Sequence, residues 1–316
     1  MSYKISIGNY SLILLDSIVI KKSVEQLSDT ADIILPGVHL NKAIEIESKL
    51  KEGVQVSVWI GYDNNLYLEF QGYLNAITTD NGTIKLECED AIYLFRKSIK
   101  NTELKNTSAE ALLKHVVKEI DSSIKVSCSY EFKYDKFVIK DASGWDILKK
   151  VQDETKANIY FKDGTLHIHP QYSEVFNDKP IVYDFAINIE KSNLKYKTAD
   201  QRKYQVEVEG IMPDGKRITT IVGTAGGEKR SVKVYGVSDI ESLKKRANEE
   251  LQTVVYTGYE GNFTGWLLPY CEPGNEIKLQ DAEYPKKDGK YYVVATDTKF
   301  SSAGGERTIT IGKKIG

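Results

Sequence analysis

The sequence contains the same pattern of strands and turns twice, near its two ends. In the first copy, residues 53–88, three runs of alternating apolar residues are separated by Asn/Asp-rich turns at residues 63–65 and 80–82. A looser copy occupies residues 273–312. Alternation with a period of two, broken by Asn, Asp and Gly, is typical of antiparallel β-meanders. The repetition predicts a small β-barrel that is made twice, with other material between the copies.

Between the copies the hydrophobic period changes to that of amphipathic helices. An apolar stripe predicts a helix over residues 107–120, and a second helix is predicted over 143–153. A third is predicted over 238–252, where acidic residues stand at the positive end. The fold class expected is therefore mainly β with α+β insertions: two similar small β-barrel domains of the tube type plus an α+β domain.

These patterns predict four segments in the chain. The first β-barrel domain is expected at residues 1–98, and the α+β domain at 99–172. The second β-barrel domain is expected to be split between residues 173–223 and 255–316. The inserted residues 224–254 are expected to form a strand and a helix that pack on the α+β domain.

The charge balance argues against a nucleic-acid-binding protein. The 316 residues include 43 Lys and Arg and 45 Asp and Glu, which gives a net charge of −2. Proteins that grip the phosphate backbone depend on a clear basic excess. A specific interaction with DNA is therefore not expected.

Cysteine use and hydropathy indicate synthesis in the cytoplasm. Cys88, Cys128 and Cys271 are isolated in sequence, and an odd number of cysteines does not suit a disulfide framework. Residues 1–4 lead into a strand and do not resemble a signal peptide, and the longest early apolar run, residues 12–15, is too short to cross a membrane. We expect no membrane insertion and no cleaved export signal.

Candidate chemical sites are weak. His167 and His169 share one strand face at a spacing compatible with metal binding, but no third ligand is evident, so an exposed strand is the better interpretation. The glycine-rich residues 223–230 lack phosphate-loop spacing and predict a flexible loop. Carboxylate pairs such as Glu87 and Glu89 alternate on strands, as solvated faces do. The sequence therefore predicts no enzyme, no metal and no cofactor.

Four stretches, taken in order, resemble one known family. The first stretch consists of S-D-T-A-D-I-I-L at residues 28–35, L-K-E-G-V-Q-V-S-V at 50–58 and E-F-Q-G-Y-L at 69–74, and the second of D-A-S-G-W-D-I-L-K-K-V at 141–151 and A-N-I-Y-F-K-D-G-T-L-H-I at 157–168. The third stretch is A-N-E-E-L at residues 247–251. The fourth consists of L-L-P-Y-C-E-P-G-N-E-I-K-L at residues 267–279, G-K-Y-Y-V-V at 289–294 and K-F-S-S-A-G-G at 299–305. The succession resembles the baseplate hub proteins of contractile phage tails, the late control protein D family. That family is related to the N-terminal part of the type VI secretion spike protein.

The resemblance implies a structural protein of the virion tail baseplate, made in the bacterial host cytoplasm. It implies a homotrimer whose duplicated barrels form a ring that adapts a six-fold tail tube to a three-fold spike. The tail tube protein, the spike protein and other baseplate proteins are the implied partners. DNA, or effector protein in a secretion device, would pass through the central channel without specific binding. Because the chain ends at Gly316 without an appended needle or lysozyme domain, the spike tip is expected to be a separate protein.

The family has no catalytic residues to carry over, so the candidate site residues are structural: Gly53, Gly72, Trp145, Pro273, Gly274 and Gly289. The glycines are expected in turns or at close contacts where a side chain would clash. The proline is expected to pre-set a turn. The tryptophan is expected to anchor the second helix in the α+β core.

Two other functions remain open at the level of sequence. One is a phage tail cell-wall hydrolase, which needs convergent carboxylates or a nucleophile that the sequence does not reveal. The other is a monomeric carbohydrate-binding tail module that uses the aromatic residues Tyr3, Tyr10, Tyr62, Tyr67 and Tyr73. Barrel packing or a subunit interface is the better interpretation of these tyrosines, since they are scattered over different strands.

Overall fold

The computed structural model describes residues 1–39, 42–43, 49–80, 82–199 and 203–315. The chain divides into two compact units. Unit 1 comprises Met1–Tyr93, Val175–Leu194 and Gly261–Gly316. Unit 2 comprises Leu94–Glu174 and Lys195–Glu260.

Strands dominate both ends of the chain, and the helices lie between them. The strands before the first helix are β1 (Ser2–Ile7), β2 (Tyr10–Leu12), β3 (Ser17–Ser23), β4 (Thr30–Pro36), β5 (Val38–His39), β6 (Lys42–Ala43), β7 (Gln55–Tyr62), β8 (Asn65–Asp80), β9 (Thr83–Glu89) and β10 (Thr102–Ser108). The middle of the chain holds α1 (Ala109–Ile120), β11 (Lys125–Cys128), β12 (Lys133–Ile139), α2 (Gly144–Thr155), β13 (Asn158–Lys162), β14 (Thr165–His169), β15 (Ile181–Asp184) and β16 (Ile189–Lys197). The remainder holds β17 (Tyr204–Ile211), β18 (Arg217–Gly223), β19 (Glu228–Tyr235), α3 (Ile240–Gln252), β20 (Gly258–Trp266), β21 (Glu276–Gln280), β22 (Gly289–Ser301) and β23 (Gly304–Lys314). Short 3-10 helices span Ala91–Arg96 and Pro285–Lys287.

Unit 1 is organised by one 13-stranded sheet. Its strand order is β16-β20-β23-β22-β3-β4-β9-β8-β7-β1-β2, and β21 and β15 branch from β22. Neighbouring strands from β23 to β2 pair antiparallel. Strict alternation of buried and less buried residues along β4 and β9 places one face of the sheet on a core and leaves the other accessible.

The first copy of the repeat curls around an aliphatic core. Ile33 of β4 lies opposite Leu86 of β9, and both are fully buried with Ile18 and Ile20 of β3. Because side chains alternate between faces, a slip of one residue would turn these apolar groups toward solvent, so the core specifies the register.

The prediction of a mainly β chain with α+β insertions is confirmed. The two copies are, however, not separate closed barrels: both belong to the same open sheet, and in the part of the chain that the structure describes no barrel closes. The physical reason is that β22 of the second copy hydrogen-bonds β3 of the first. The backbone N–H and C=O groups along the edge of each copy thereby find their partners in the other copy.

Among the described residues, unit 2 contains three α-helices and three small sheets, β10-β12, β11-β14-β13 and β18-β17-β19. The Ser143 hydroxyl accepts from the Asp146 N–H at 3.2 Å and forms a capping box at the start of α2. The caps of α1 and α3 are Ser108 and Asp239, one residue after the positions at which the sequence predicts these helices to begin. In each case the side chain satisfies a free N–H of the first turn.

The structure changes one predicted boundary. Strands β17 and β18 lie within the segment 173–223, which the sequence analysis assigned to the second barrel. They pair instead with each other and with β19, and α3 packs on them, in unit 2. Sequence could not separate these strands from those of the barrel, because the period of two is the same in both sheets.

A buried carboxyl near the end of α2 makes the stability of unit 2 dependent on pH. Glu154 is buried, and one of its oxygens has no hydrogen-bond partner. Burial raises its pKa from 4.5 to about 7, although the charge of Lys150 and a backbone N–H at Tyr235 oppose the shift. The carboxyl is thus more readily protonated in the folded chain than in the unfolded chain.

We therefore expect unit 2 to lose stability as the pH rises. The unfolded chain ionises near its ordinary pKa while folded Glu154 stays protonated, so the loss begins near pH 4.5 and is complete above about pH 7. Between pH 5 and pH 8 the loss should be about 2–3 kcal/mol. In the Glu154→Gln variant this pH-dependent loss of stability should vanish. The control variant Asp153→Asn changes an exposed neighbouring residue and should keep the loss. Urea unfolding of the three proteins at both pH values tests this, and an unchanged slope in Glu154→Gln would contradict it.

Candidate assembly interface

The two copies in unit 1 share the same strand order. In the first copy the order is β3-β4-β9-β8-β7-β1, and in the second it is β16-β20-β23-β22-β21-β15. The correspondence extends to single hydrogen bonds. The Gly53 N–H donates to the Leu74 carbonyl at 2.8 Å, and the Gly274 N–H donates to the Val293 carbonyl at 2.8 Å. A register shift follows both Leu74 and Val293. The sequence repeat is therefore a structural duplication.

The copies meet at a junction formed by backbone pairing. The second half of β22 pairs antiparallel with β3, from Ala295 opposite Ser23 to Ser301 opposite Ser17. On its other side the same stretch of β22 pairs with β23. The strand is therefore hydrogen-bonded along both edges, and the sheet runs without a break from the second copy into the first.

A buried ion pair links the two copies. Arg307 of β23 is 0% exposed, and its guanidinium donates to the carboxylate of Glu69 on β8, which is 3% exposed. It also donates to the Leu267 carbonyl at 2.8 Å and to the Thr298 hydroxyl at 3.2 Å. Burial opposes the charge, but the Glu69 carboxylate raises the pKa of Arg307. The pair joins the second copy to the first through side chains as well as backbone.

The Glu69–Arg307 ion pair was not predicted from the sequence, although the position of Arg307 in its strand indicated a buried arginine. Arg307 lies opposite Thr298 in β22–β23, at the position that Ile84 takes opposite Thr79 in β8–β9. The arginine therefore occupies a core-facing position in an alternating strand. A buried arginine needs a buried acceptor, and the acceptor lies far away in sequence.

The accessible face of the sheet across the junction carries threonines and charges of both signs. Lys85 bridges Asp32 at 3.0 Å and Glu87 at 2.8 Å, and Lys299 lies 3.3 Å from Glu306. The charged residues on this face of β3, β4, β9, β22 and β23 are Lys21, Asp32, Lys85, Glu87, Asp297, Lys299 and Glu306. The face has no basic excess.

Two of the predicted glycines, Gly72 and Gly274, lie at tight points of unit 1. A Cβ atom on Gly72 would lie 2.1 Å from the Glu89 carbonyl oxygen, and one on Gly274 would lie 2.2 Å from the Phe176 ring. Gly53 and Gly274 occupy corresponding turns with φ of +80° and +85°. Gly289 is the first residue of β22.

The remaining two predicted structural residues lie in different units. Pro273 is buried in unit 1, directly before Gly274, in the turn that leads to β21. Trp145 on α2 is only partly buried. The fully buried apolar residues of that helix are Ile147, Leu148 and Val151, so these carry its core packing.

The histidine pair is occupied by other contacts. The Nδ1–H of His169 donates to the Pro170 carbonyl at 2.9 Å, so its Nε2 accepts from the Tyr160 hydroxyl at 2.7 Å. The His167 ring stacks on the Tyr160 ring with centroids 5.2 Å apart. Burial lowers the pKa of both imidazoles. Within the described residues no group of three or more His, Cys, Asp or Glu could hold a metal ion.

Other candidate sites from the sequence are structural as well. Residues 224–227 form the turn between β18 and β19. The tyrosines are separated: Tyr3 packs on Phe300, Tyr67 stacks on Tyr270, and Tyr73 stacks on Tyr93. Burial raises the pKa of Cys88 and of Cys271 to about 12, which leaves both thiols unreactive. In the described part of the chain no helix is long and apolar enough to cross a membrane.

Unit 2 holds an open groove of about 850 Å³ between β10, the start of β12 and the start of α3. Two of its carboxylates are held by backbone groups. Asp135 accepts from the Ser238 N–H at 2.6 Å, and Asp239 accepts from the Ser242 N–H at 2.9 Å.

Comparison with known proteins shows similarity only at the level of structure. No family model matches the sequence, and no curated protein matches it. The 43 kDa tail protein of prophage MuSo2 from Shewanella oneidensis is similar with a TM-score of 0.70 and 18% identity, over 99% of this chain and 98% of that one. A tail protein of Neisseria meningitidis MC58 has a TM-score of 0.69 and 14% identity, over 98% and 96% of the chains.

A protein of a secretion system has a similar fold. The c3393 protein of E. coli, a component of the type VI secretion system, has a TM-score of 0.65 and 11% identity, over 99% of this chain and 79% of that one. At these identities the similarity concerns the fold. The resemblance to tail hub proteins is confirmed at that level: this chain has the fold that phage tail proteins share with a type VI secretion component.

Proposed function

We propose that this chain is the structural hub of a contractile phage tail baseplate or of a related injection device. It forms a homotrimeric ring that joins a six-fold tail tube to a three-fold spike. The observation that carries this proposal is the duplication within one continuous sheet. Because each chain supplies two corresponding modules, a three-fold ring presents approximate six-fold symmetry to a tube while keeping three-fold symmetry toward a spike.

The partners follow from the position of such a ring. The tail tube protein binds one face, the spike protein binds the other, and further baseplate proteins surround it. The support is the fold, which is shared with tail proteins of Shewanella oneidensis and Neisseria meningitidis and with the secretion component of E. coli. The protein would reside in the virion tail baseplate.

The accessible sheet face fits a channel wall. Its charges are mixed, and Lys85 and Lys299 are paired with carboxylates on the same face. Tight binding of DNA depends on unpaired basic groups that replace counterions on phosphates. A wall of threonines and charges of both signs, in which Lys85 and Lys299 are paired with carboxylates, lets DNA or protein pass without holding it. We propose no enzymatic role, since the fold neighbours named above are a prophage tail protein, a tail protein and a secretion-system component.

Light scattering across a dilution series tests the trimer. The expected mass is three times the chain mass of 35.6 kDa and should persist on dilution, and negative-stain images should show a ring with a central hole. The run is repeated with the tail tube and spike proteins added, because assembly can depend on partners. A mass that stays at one chain in both runs would overturn the proposal.

A further inference from the structure

The two most exposed large apolar side chains among the described residues both lie in unit 1. Ile13 is 85% exposed and Ile187 is 78% exposed, and the next, Tyr284, is 59% exposed. A single exposed apolar residue is common on a protein surface, but an aliphatic side chain that lies almost wholly in solvent contributes nothing to a core. The places of these two isoleucines in the fold suggest another use.

Both isoleucines lie in the same connection of the duplicated sheet. Residues 13–16 lead from β2 into β3, and residues 185–188 lead from β15 into β16, the counterpart of β3. Each connection is four residues long and ends beside the corresponding neighbouring strand. The Asp16 N–H donates to a carbonyl of β4 at 2.9 Å, and the Asn188 carbonyl oxygen lies 2.4 Å from the Cβ position of Gly265 on β20. The duplication therefore includes this connection.

The two connections are apolar, whereas most connections are polar. Their sequences are I-L-L-D at residues 13–16 and F-A-I-N at residues 185–188. Gly, Pro, Asn, Asp and Ser dominate turns, because these residues favour the turn conformations. The core accounts for only part of the composition: Leu15 packs against the core of the first copy, whereas Ile13 and Ile187 lie in solvent.

Hydrogen bonds hold the backbone at each isoleucine. The Tyr3 hydroxyl donates to the Ile13 carbonyl at 3.0 Å, and the Tyr3 ring packs edge-on against Phe300. The Ile187 N–H donates to the Asp184 carbonyl at 3.1 Å. A backbone that is already fixed loses little conformational entropy when a partner covers the side chain, so this arrangement favours binding.

Two other exposed residues of the second copy do not recur in the first. Tyr284 is 59% exposed in the connection 281–288, where the first copy has only a two-residue turn at 63–64. Trp266 is 51% exposed at the end of β20, and Pro36 takes the corresponding place at the end of β4. Recurrence in both copies therefore distinguishes the two isoleucines from these residues.

We propose that the connections 13–16 and 185–188 form the docking surface for a protein partner with six-fold symmetry, the tail tube protein. The partner is six-fold because the surface occurs in both copies, so that a trimer presents it six times. A three-fold partner needs a surface that belongs to only one copy. The matching chemistry is an apolar pocket on each tube subunit that takes up one isoleucine side chain. This inference rests on the proposed trimer.

Serine replacement tests the surface in the full-length protein. Ile13→Ser and Ile187→Ser each remove three of the six apolar contacts of a trimer, and the double variant removes all six. Co-sedimentation with preassembled tail tube protein should show at least tenfold weaker binding for each single variant, since burial of one isoleucine side chain changes affinity about tenfold or more. The double variant should show no detectable binding.

The matched control changes an exposed isoleucine that the proposal does not involve. Ile221 is 54% exposed on β18 of unit 2, and Ile221→Ser should bind the tail tube protein as the unchanged chain does. All four variants should remain trimeric by light scattering and should bind the spike protein normally. A loss of tube binding in Ile221→Ser as large as in the two single variants would overturn the docking surface.

The outcomes separate this inference from the proposed function. A trimeric double variant that binds the tail tube protein at full strength would overturn the docking surface and leave the hub function intact. Loss of binding in Ile187→Ser with Ile13→Ser unaffected would overturn the six-fold assignment. Dissociation of the double variant into single chains would overturn the docking surface, because the isoleucines would then belong to the contact between chains. An unchanged chain that stays monomeric with both partners present, and binds no tail tube protein, would overturn both.

Discussion

Replacement of Glu69 by glutamine is expected to lower the free energy of unfolding of unit 1 by about 3–5 kcal/mol. The change leaves the Arg307 guanidinium fully buried, without the carboxylate that compensates its charge. Glutamine retains one acceptor oxygen but no charge. Urea unfolding followed by circular dichroism measures the loss.

The matched control lies on β22 and β23 of the second copy, next to Arg307. Lys299 and Glu306 form an ion pair on the accessible face, and there Glu306→Gln should cost less than about 1 kcal/mol. Equal losses in the two variants would contradict a special role for the buried pair.

A double replacement separates the effect of the two charges on stability from the effect of the side-chain volumes. Glu69→Leu with Arg307→Met should recover most of the stability lost by Glu69→Gln, because an apolar pair of similar volume often replaces a buried ion pair without loss. The duplication supports this expectation, since Ile84 occupies the corresponding position in the first copy. A double variant as unstable as Glu69→Gln would mean that the hydrogen bonds of Arg307 to Leu267 and Thr298 matter more than its charge.

Replacement of Gly72 by valine is expected to be the second large effect. Even the Cβ would lie 2.1 Å from the Glu89 carbonyl oxygen, which is a backbone atom that cannot rotate away. The strands β8 and β9 must shift where Tyr73 lies opposite Glu89. We expect a loss of about 3 kcal/mol, at the upper end of overpacking effects, with Gly72→Ala intermediate.

Gly82→Asn is the control for this substitution. Gly82 lies in the turn at the other end of the β8–β9 pair, and no atom comes within 4 Å of its Cβ position. Its φ of +76° is one that asparagine tolerates, so the cost should be small. Thermal unfolding compares the three variants. A Gly72→Val protein as stable as Gly82→Asn would show that the contact yields without cost.

Local patterns in the sequence were sufficient for the elements themselves. The helix predicted over residues 143–153 is α2, which spans Gly144–Thr155 and has Ser143 as its N-cap. Strands β13 and β14 form a hairpin that turns at Asp163 and Gly164. Such features depend on neighbouring residues: a cap, a turn and a period can be identified within one window of sequence.

The sequence did not predict which strands pair with each other. The strands β17 and β18 have the same alternation as the strands of the duplicated sheet, yet they pair with β19 in unit 2. Alternation specifies which face of a strand is buried, and it does not specify which strand lies beside it. The two expected barrel domains do not close in the described part of the chain for a related reason, since the pairing of β3 with β22 depends on edges that are far apart in sequence.

By itself the sequence determined that the protein is mainly β, that its core elements are made twice, and which segments are helical, because these follow from local period and turn chemistry. Only the tertiary structure decided that the two copies share one sheet and that Arg307 is neutralised by Glu69. These features depend on backbone groups and charges that find partners across hundreds of residues. No periodicity in the sequence records such contacts.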